Sequence, residues 1–150
     1  MASFFEGFGF CPDNSEIVSL LENKEANSTD DEGFKFILDI KFYNYEPQEL
    51  SQLSTTNSGN EKMYYFTRLK FKHGGVINRQ TPSGGSWIMT GCSKNIKDKY
   101  GNPSVNEKSF AYHKASGEKT QWLMKEYTLS NDQNKISGWA LCVVYYKPSR

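Results

Sequence analysis

The chain reads as an α+β fold, with short helices first and one antiparallel sheet afterwards, on three observations. A helix-start signature near residue 13 is followed by apolar residues at helical spacing. From residue 63 the apolar period changes to two and stays there. Turns rich in Gly, Pro and Ser then recur between the strand-like runs. At 150 residues the chain is most simply one domain, 1–150, long enough to bury a single core without disulfide or metal staples.

The elements follow in order. Within Pro12-Asp13-Asn14-Ser15-Glu16, Asp13 can cap the first amides and Glu16 can reach back to close a capping box. Ile17, Leu20 and Leu21 then share one helical face, and this helix is read to end near Asn23. Residues 26–33 are polar, acidic and loop-like, and residues 34–45 are aromatic and fit either strand or helix. Pro47-Gln48-Glu49-Leu50 starts a second short helical turn, followed by a loop over 51–60. A strand over 63–71 puts Tyr65, Thr67, Leu69 and Phe71 on one face. Tyr64, Phe66, Arg68 and Lys70 take the other, as aromatic feet with cationic tips. His73-Gly74-Gly75, residues 81–85 and Lys99-Tyr100-Gly101-Asn102-Pro103 read as turns. Residues 87–90 form a short strand, and 107–113 pair with 120–129 across a hairpin loop at 114–119. The last strand, 139–146, places Trp139, Leu141, Val143 and Tyr145 on one side. Trp122, Met124 and Trp139 are core candidates, because aromatics and Met on one strand face pack together.

Charge is sorted along the chain. Residues 1–62 carry four Lys or Arg against twelve Asp or Glu, and residues 63–119 carry ten against three. A net charge of +1 thus hides an acidic first third and a basic, aromatic middle. A basic segment of this kind suits a polyanion, since each neutralised phosphate releases condensed counterions. No apolar run approaches the roughly 18 residues of a membrane span. The start, Met1-Ala2-Ser3-Phe4-Phe5-Glu6, has no basic region leading into an apolar stretch and does not read as a signal peptide. Cys11, Cys92 and Cys142 are odd in number and scattered, which favours reduced thiols over a disulfide framework.

Alternation in Trp87-Ile88-Met89-Thr90-Gly91-Cys92 puts Trp87 and Met89 on one face and Ile88, Thr90 and Cys92 on the other. The large apolar pair suits the buried side, so Thr90 is displayed outward between Arg79 upstream and Lys94, Lys97 and Lys99 downstream. A strand edge can enter a DNA major groove, where Thr meets base edges or a thymine methyl while cations hold phosphates. A plain amphipathic strand beside a wet loop has the same pattern. The reading turns on whether Arg79, Thr90 and Lys94 share one exposed surface.

Six segments in order resemble the NAC domain of plant transcription factors, from about residue 6 to 147. Gly7-Phe8-Gly9-Phe10-Cys11-Pro12 is similar to the family's opening G-F-R-F-H-P, and Tyr43-Asn44-Tyr45-Glu46-Pro47 to its Y-K-Y-E-P. Met63-Tyr64-Tyr65-Phe66 resembles W-Y-F-F, and Asn78-Arg79 with Trp87-Ile88-Met89-Thr90-Gly91 resembles N-R…W-K-A-T-G. Residues 117–127 are close to G-E-K-T-N-W-I-M-H-E-Y, and residues 139–145 to W-V-L-C-R-I-Y. The resemblance implies a strongly twisted antiparallel sheet packed between helices, double-stranded DNA as partner and a nuclear location. It also implies homodimers or heterodimers with other NAC proteins through the N-terminal region; from the residues themselves, neither membrane association nor a cofactor is expected. Carried over by position, it assigns DNA contacts to Arg79, Thr90, Gly91 and Lys94, with Lys70 and Lys108 beside them, and a dimer seam to Phe8, Gly9, Phe10 and Glu16.

Several positions depart from the family pattern. Ile88 stands where the family has Lys, Cys92 where it has Lys or Thr, Ser93 where it has Asp, and Val76 where it has Arg. Missing phosphate contacts each flatten the salt dependence of binding by about 0.9, so weakened DNA affinity is expected. The seam partner of Glu16 is Gly9 in place of Arg. With no room after the last strand for a regulatory tail, a second expectation stands: an interaction module that pairs with complete NAC factors and modulates them. Metal and catalytic chemistry find little support. His73, His113, Cys11 and Cys92 lack zinc-ligand spacing, and Gly84-Gly85-Ser86 lacks the nucleophile-elbow pattern, so the chain is read as neither a metal site nor an enzyme.

Overall fold

The capping box at Asp13 forms as its residues require. Glu16 N donates to Asp13 Oδ1 at 2.9 Å, and Asp13 N donates to Glu16 Oε1 at 3.1 Å. Helix α1 then runs Asn14–Glu25, slightly beyond the expected end, and buries Ile17, Val18, Leu20 and Leu21. A computed structural model gives this architecture and describes residues 10–28, 30–53, 62–69, 77–130 and 136–148. Lys70, Val76, Phe8 and Gly9, the expected turn at 73–75 and most of the expected loop at 51–60 lie outside the described residues.

The ambiguous aromatic stretch resolves into two 3₁₀ turns, Glu32–Phe36 and Phe42–Asn44, around a two-residue strand β1, Leu38–Asp39. Gly33 in the first turn passes so close to α1 that a Cβ there would lie 2.7 Å from Leu20 Cδ2. Helix α2 spans Pro47–Leu53. The strands are β2 (Met63–Arg68), β3 (Ser86–Lys97), β4 (Pro103–His113), β5 (Lys119–Ser130) and β6 (Ile136–Tyr146). They make one twisted sheet in the order β1-β2-β6-β5-β4-β3, antiparallel except for the β1–β2 pair, so β3 is an edge strand. The expected hairpin between β4 and β5 is present, closed by Lys114 N to Glu118 O at 2.9 Å, with Gly117 at φ 95°.

Both faces of the sheet are covered, which is the packing between helices that the resemblance implies. On one face α1, Phe10 and Phe34 pack on Tyr64, Phe66, Tyr127, Leu141 and Val143. On the other, Phe42, Tyr43 and Leu50 pack on Tyr65, Phe110, Met124, Cys142 and Val144. Strand β2 is therefore buried on both sides, which is why its alternation separates two cores and does not separate core from solvent. Met124 is fully buried as expected, whereas Trp122 and Trp139 are only partly buried at the margins. Lys24 pins the last turn of α1 down. Its Nζ lies 4.6 Å from the centroid of Trp139 and 5.0 Å from that of Phe66, and 2.5 Å from Asp39 Oδ2. Cation–π contacts contribute about 1–2 kcal/mol when partly desolvated.

The segment 77–85, which leads into β3, is held by one carboxylate. Glu46, just before α2, accepts Ser83 N at 3.0 Å, Ser83 Oγ at 2.8 Å and Tyr112 Oη at 2.7 Å. Burial alone would raise its pKa, but these bonds outweigh burial and hold it below the usual carboxylate range. The turn closes with Thr81 N to Gly85 O at 2.8 Å.

Two outcomes follow from this packing. A Cβ on Gly85 would lie 2.1 Å from Tyr112 Oη and 2.8 Å from the His113 carbonyl oxygen. Gly85→Ala is expected to lower unfolding free energy by about 2 kcal/mol or more in denaturant titration, because the backbone cannot yield. An unchanged midpoint would refute that contact. Burial pushes the Tyr65 hydroxyl up to about 12, and burial first also raises Tyr43, Tyr64 and Tyr127. Unfolded tyrosine ionises near pH ~10, so this stabilisation is complete below that pH and is lost as pH rises towards the folded values. The denaturation midpoint should fall steadily between pH ~10 and ~12; a flat profile there would contradict the burial of these hydroxyls.

Candidate nucleic-acid interface

The outer strand is longer than its sequence suggests because a bulge carries it past Gly91. Thr90 pairs with Ser109 and Lys94 with Glu107, so four steps on β3 match two on β4. Gly91 takes φ 66°, a conformation glycine adopts at little cost, and this lets the extra residues loop out without ending the strand. Eight successive residues, Ile88–Asn95, are exposed, although Trp87 and Ile96 at either end are buried. The strand is thus anchored at both ends and bare along its middle. Ile88 is 47% exposed, and Met89, expected on the buried side, is 39% exposed, because the covering segment shields Trp87 but stops short of its neighbour.

Register divides the expected contact residues between two faces. Directly paired residues point to the same side of a sheet. Ile88, Thr90 and Lys94 therefore face the side of Ala111, Ser109 and Glu107. Lys108 faces the other side with Phe110, whose partner on β3 is Met89. The expectation that Arg79, Thr90 and Lys94 share one exposed surface does not hold. Thr90, Gly91 and Lys94 are exposed together, whereas Lys108 is half-buried on the reverse face and Arg79 lies on that same face against Glu126 and Phe110. Among the described residues neither Lys94 nor Lys108 has an ion-pair partner, while Glu107 opposite Lys94 is held by Lys125 Nζ at 3.1 Å and Tyr127 Oη at 3.1 Å.

Arg79 is occupied within the chain. Its Nη2 and Nε donate to Glu126 Oε1 and Oε2 at 2.7 and 3.1 Å, and its guanidinium lies 4.5 Å from the centroid of Phe110. Tyr43 Oη donates to the same Glu126 at 2.7 Å. The Arg79 side chain is 16% exposed and that of Glu126 is 1% exposed. Burial pulls the Arg79 pKa down, but the bonds and charge of Glu126 outweigh it and hold the group above its ordinary value. Burial first, and the Glu126 charge second, push the Tyr43 hydroxyl well up, so it stays a donor. Glu126, Tyr43 and Glu46 are the residues that sequence reasoning missed. A signal for the first existed: Glu126 sits between Met124 and Thr128 on a face that is otherwise buried, and a lone carboxylate there requires partners.

On the assigned seam, Phe10 is fully buried in this chain's own core, stacked on Phe36 at 4.8 Å and edge-on to Tyr64 at 4.7 Å. Its ring leaves no surface for a second chain. Glu16 is half-buried and already accepts the Asp13 amide. No group of His, Cys, Asp and Glu among the described residues could hold a metal ion, and the three cysteines are unbonded. No described helix is long and apolar enough to cross a membrane.

Residues 5–129 match the family model described as No apical meristem (NAM) protein. The chain is 31% identical over 134 residues to NAC domain-containing protein 40 of Arabidopsis thaliana, covering 86% of this chain and 39% of that protein. It is 33% identical over 163 aligned positions to NAC domain-containing protein 78 of the same plant, covering 98% and 27%. With NAC domain-containing protein 58 of Oryza sativa subsp. japonica it shares 30% identity over 168 positions, covering 95% and 42%. The chain therefore spans 27–42% of the length of these relatives. On a family match that takes in most of its length and on relatives aligned almost end to end with it, the chain belongs to the No apical meristem, or NAC-domain, family.

Proposed function

We propose that β3 lies in the major groove of duplex DNA and that the chain acts in the nucleus as a sequence-reading transcription regulator. The observation that carries this reading is the bare middle of an edge strand, Ile88–Asn95, held at both ends by buried residues. The major groove is about 12 Å wide and admits a two-stranded ribbon with both faces in use. Thr90 offers a hydroxyl and a methyl to base edges, and Gly91 lets the backbone approach closely. Lys94 on one face and Lys108 on the other reach phosphates flanking the ribbon. Affinity is modest in this reading. Exposed Ile88 brings no charge, and Lys94 stands opposite Glu107.

A duplex enriched from a random pool, titrated against a scrambled one over a range of salt, tests it. Lys94→Ala should flatten the slope of log K against log salt by about 0.9 and weaken both duplexes alike. Thr90→Ala should weaken only the enriched duplex, by about tenfold. Equal affinity of the wild-type chain for both duplexes, with neither variant changing it, would refute the proposal.

Exposed Ile88 and Met89 favour a second reading, in which this edge meets protein and the chain modulates complete family members by pairing with them. Light scattering of a mixture with an intact NAC protein would then report a mass near the sum of the two chains. Separate unchanged masses would exclude it.

A further inference from the structure

We infer that Arg79 serves duplex recognition as a positioning residue, fixing the base of β3 through Glu126, and holds no phosphate itself. The inference rests on the duplex-binding reading and deepens it. Arg79 grips the strand at both of its own ends. Its carbonyl oxygen accepts Trp87 N at 3.1 Å, and the next residue, Gln80, bridges to Ser86, the first residue of β3. Its guanidinium is meanwhile bidentate on Glu126 of β5 and stacked on Phe110 of β4. Trp87 and Met89 are register partners of Tyr112 and Phe110, so the guanidinium locks the inner strands against which β3 is laid. Glu126 is fully engaged by three donors and buried beneath them, so Arg79 cannot turn outward without leaving an uncompensated charge inside the sheet. A group held in this way sets where Thr90 stands, three pairs along the strand from Trp87 and one from Met89, and adds nothing to the count of phosphate contacts.

Arg79→Lys and Glu126→Gln separate the possibilities, each measured against the enriched and scrambled duplexes across salt at a temperature where circular dichroism shows the variant folded. Lys keeps the charge but cannot make the bidentate grip, and Glu126 at 1% exposure cannot touch DNA. A positioning role predicts that the enriched-to-scrambled affinity ratio falls about fivefold or more in both variants with the salt slope unchanged. A role limited to overall stability would scale both affinities equally and leave the ratio intact, which overturns the inference. An unchanged ratio in Glu126→Gln together with a slope reduced by about 0.9 in Arg79→Ala would make Arg79 a phosphate contact and also overturn it. Should Glu126→Gln fail to fold, amide exchange in Arg79→Lys decides. Exchange at Trp87 accelerated about tenfold while the β5–β6 amides keep their protection supports positioning, and equal acceleration everywhere contradicts it. A wild-type chain that prefers neither duplex removes the underlying reading, an outcome distinct from all of these.

Discussion

A carboxylate buried in the middle of a sheet is the constraint around which this chain is arranged. Glu126 is 2% exposed, and a lone ionised carboxylate at such a depth would cost several kcal/mol. Three donors offset that cost: two from Arg79 and one from Tyr43. The donors come from segments distant in sequence, so satisfying one charge draws the segment before α2 and the segment before β3 onto the same strand. Glu46 repeats the device a short way along, joining residues 81–83 to Tyr112. Between them the two acids determine how the chain approaches its outer strand, and apolar packing of Trp87 against Tyr112 at 5.3 Å completes the seat.

That seat explains how an edge strand can be both bare and well placed. Trp87 and Ile96 anchor the ends of β3 in two different cores, on opposite faces of the sheet. Because the anchors lie on opposite faces, the strand cannot roll towards either. The Gly91 bulge adds length between them and pushes the exposed residues outward without loosening the ends. Exposure and anchoring thereby fall to different residues of one strand.

Much of this was legible from the residues, for identifiable reasons. Signals that act over a few positions came through: the Asp13–Glu16 capping box, the Lys114–Glu118 hairpin and the change of period at residue 63. Features that depend on distant partners did not. Residues 34–45 have no period of their own because they pass from one core to the other, Phe34, Phe36 and Ile37 joining the α1 side and Phe42 and Tyr43 the opposite side. Strand β3 read as short because Gly91 resembles a terminator until the pairing of Lys94 with Glu107 shows the strand resuming. Phe10 could be assigned to a seam by position alone, whereas only the fold shows that its ring fills the chain's own interior. Arg79 was assigned outward for the same reason, since its sequence neighbours say nothing about a carboxylate 47 residues away.

Beyond Trp87 the outer side of β3 has no strand partner among the described residues, and this has one more consequence. A long edge with open amides and carbonyls is a template on which a second polypeptide can add a strand and start a fibril. Gly91 breaks the flatness such stacking needs, and Lys94 and Lys97 would set like charges against each other in a parallel, in-register copy. The glycine bulge and the lysines that give this edge its form thus also oppose stacking of in-register copies.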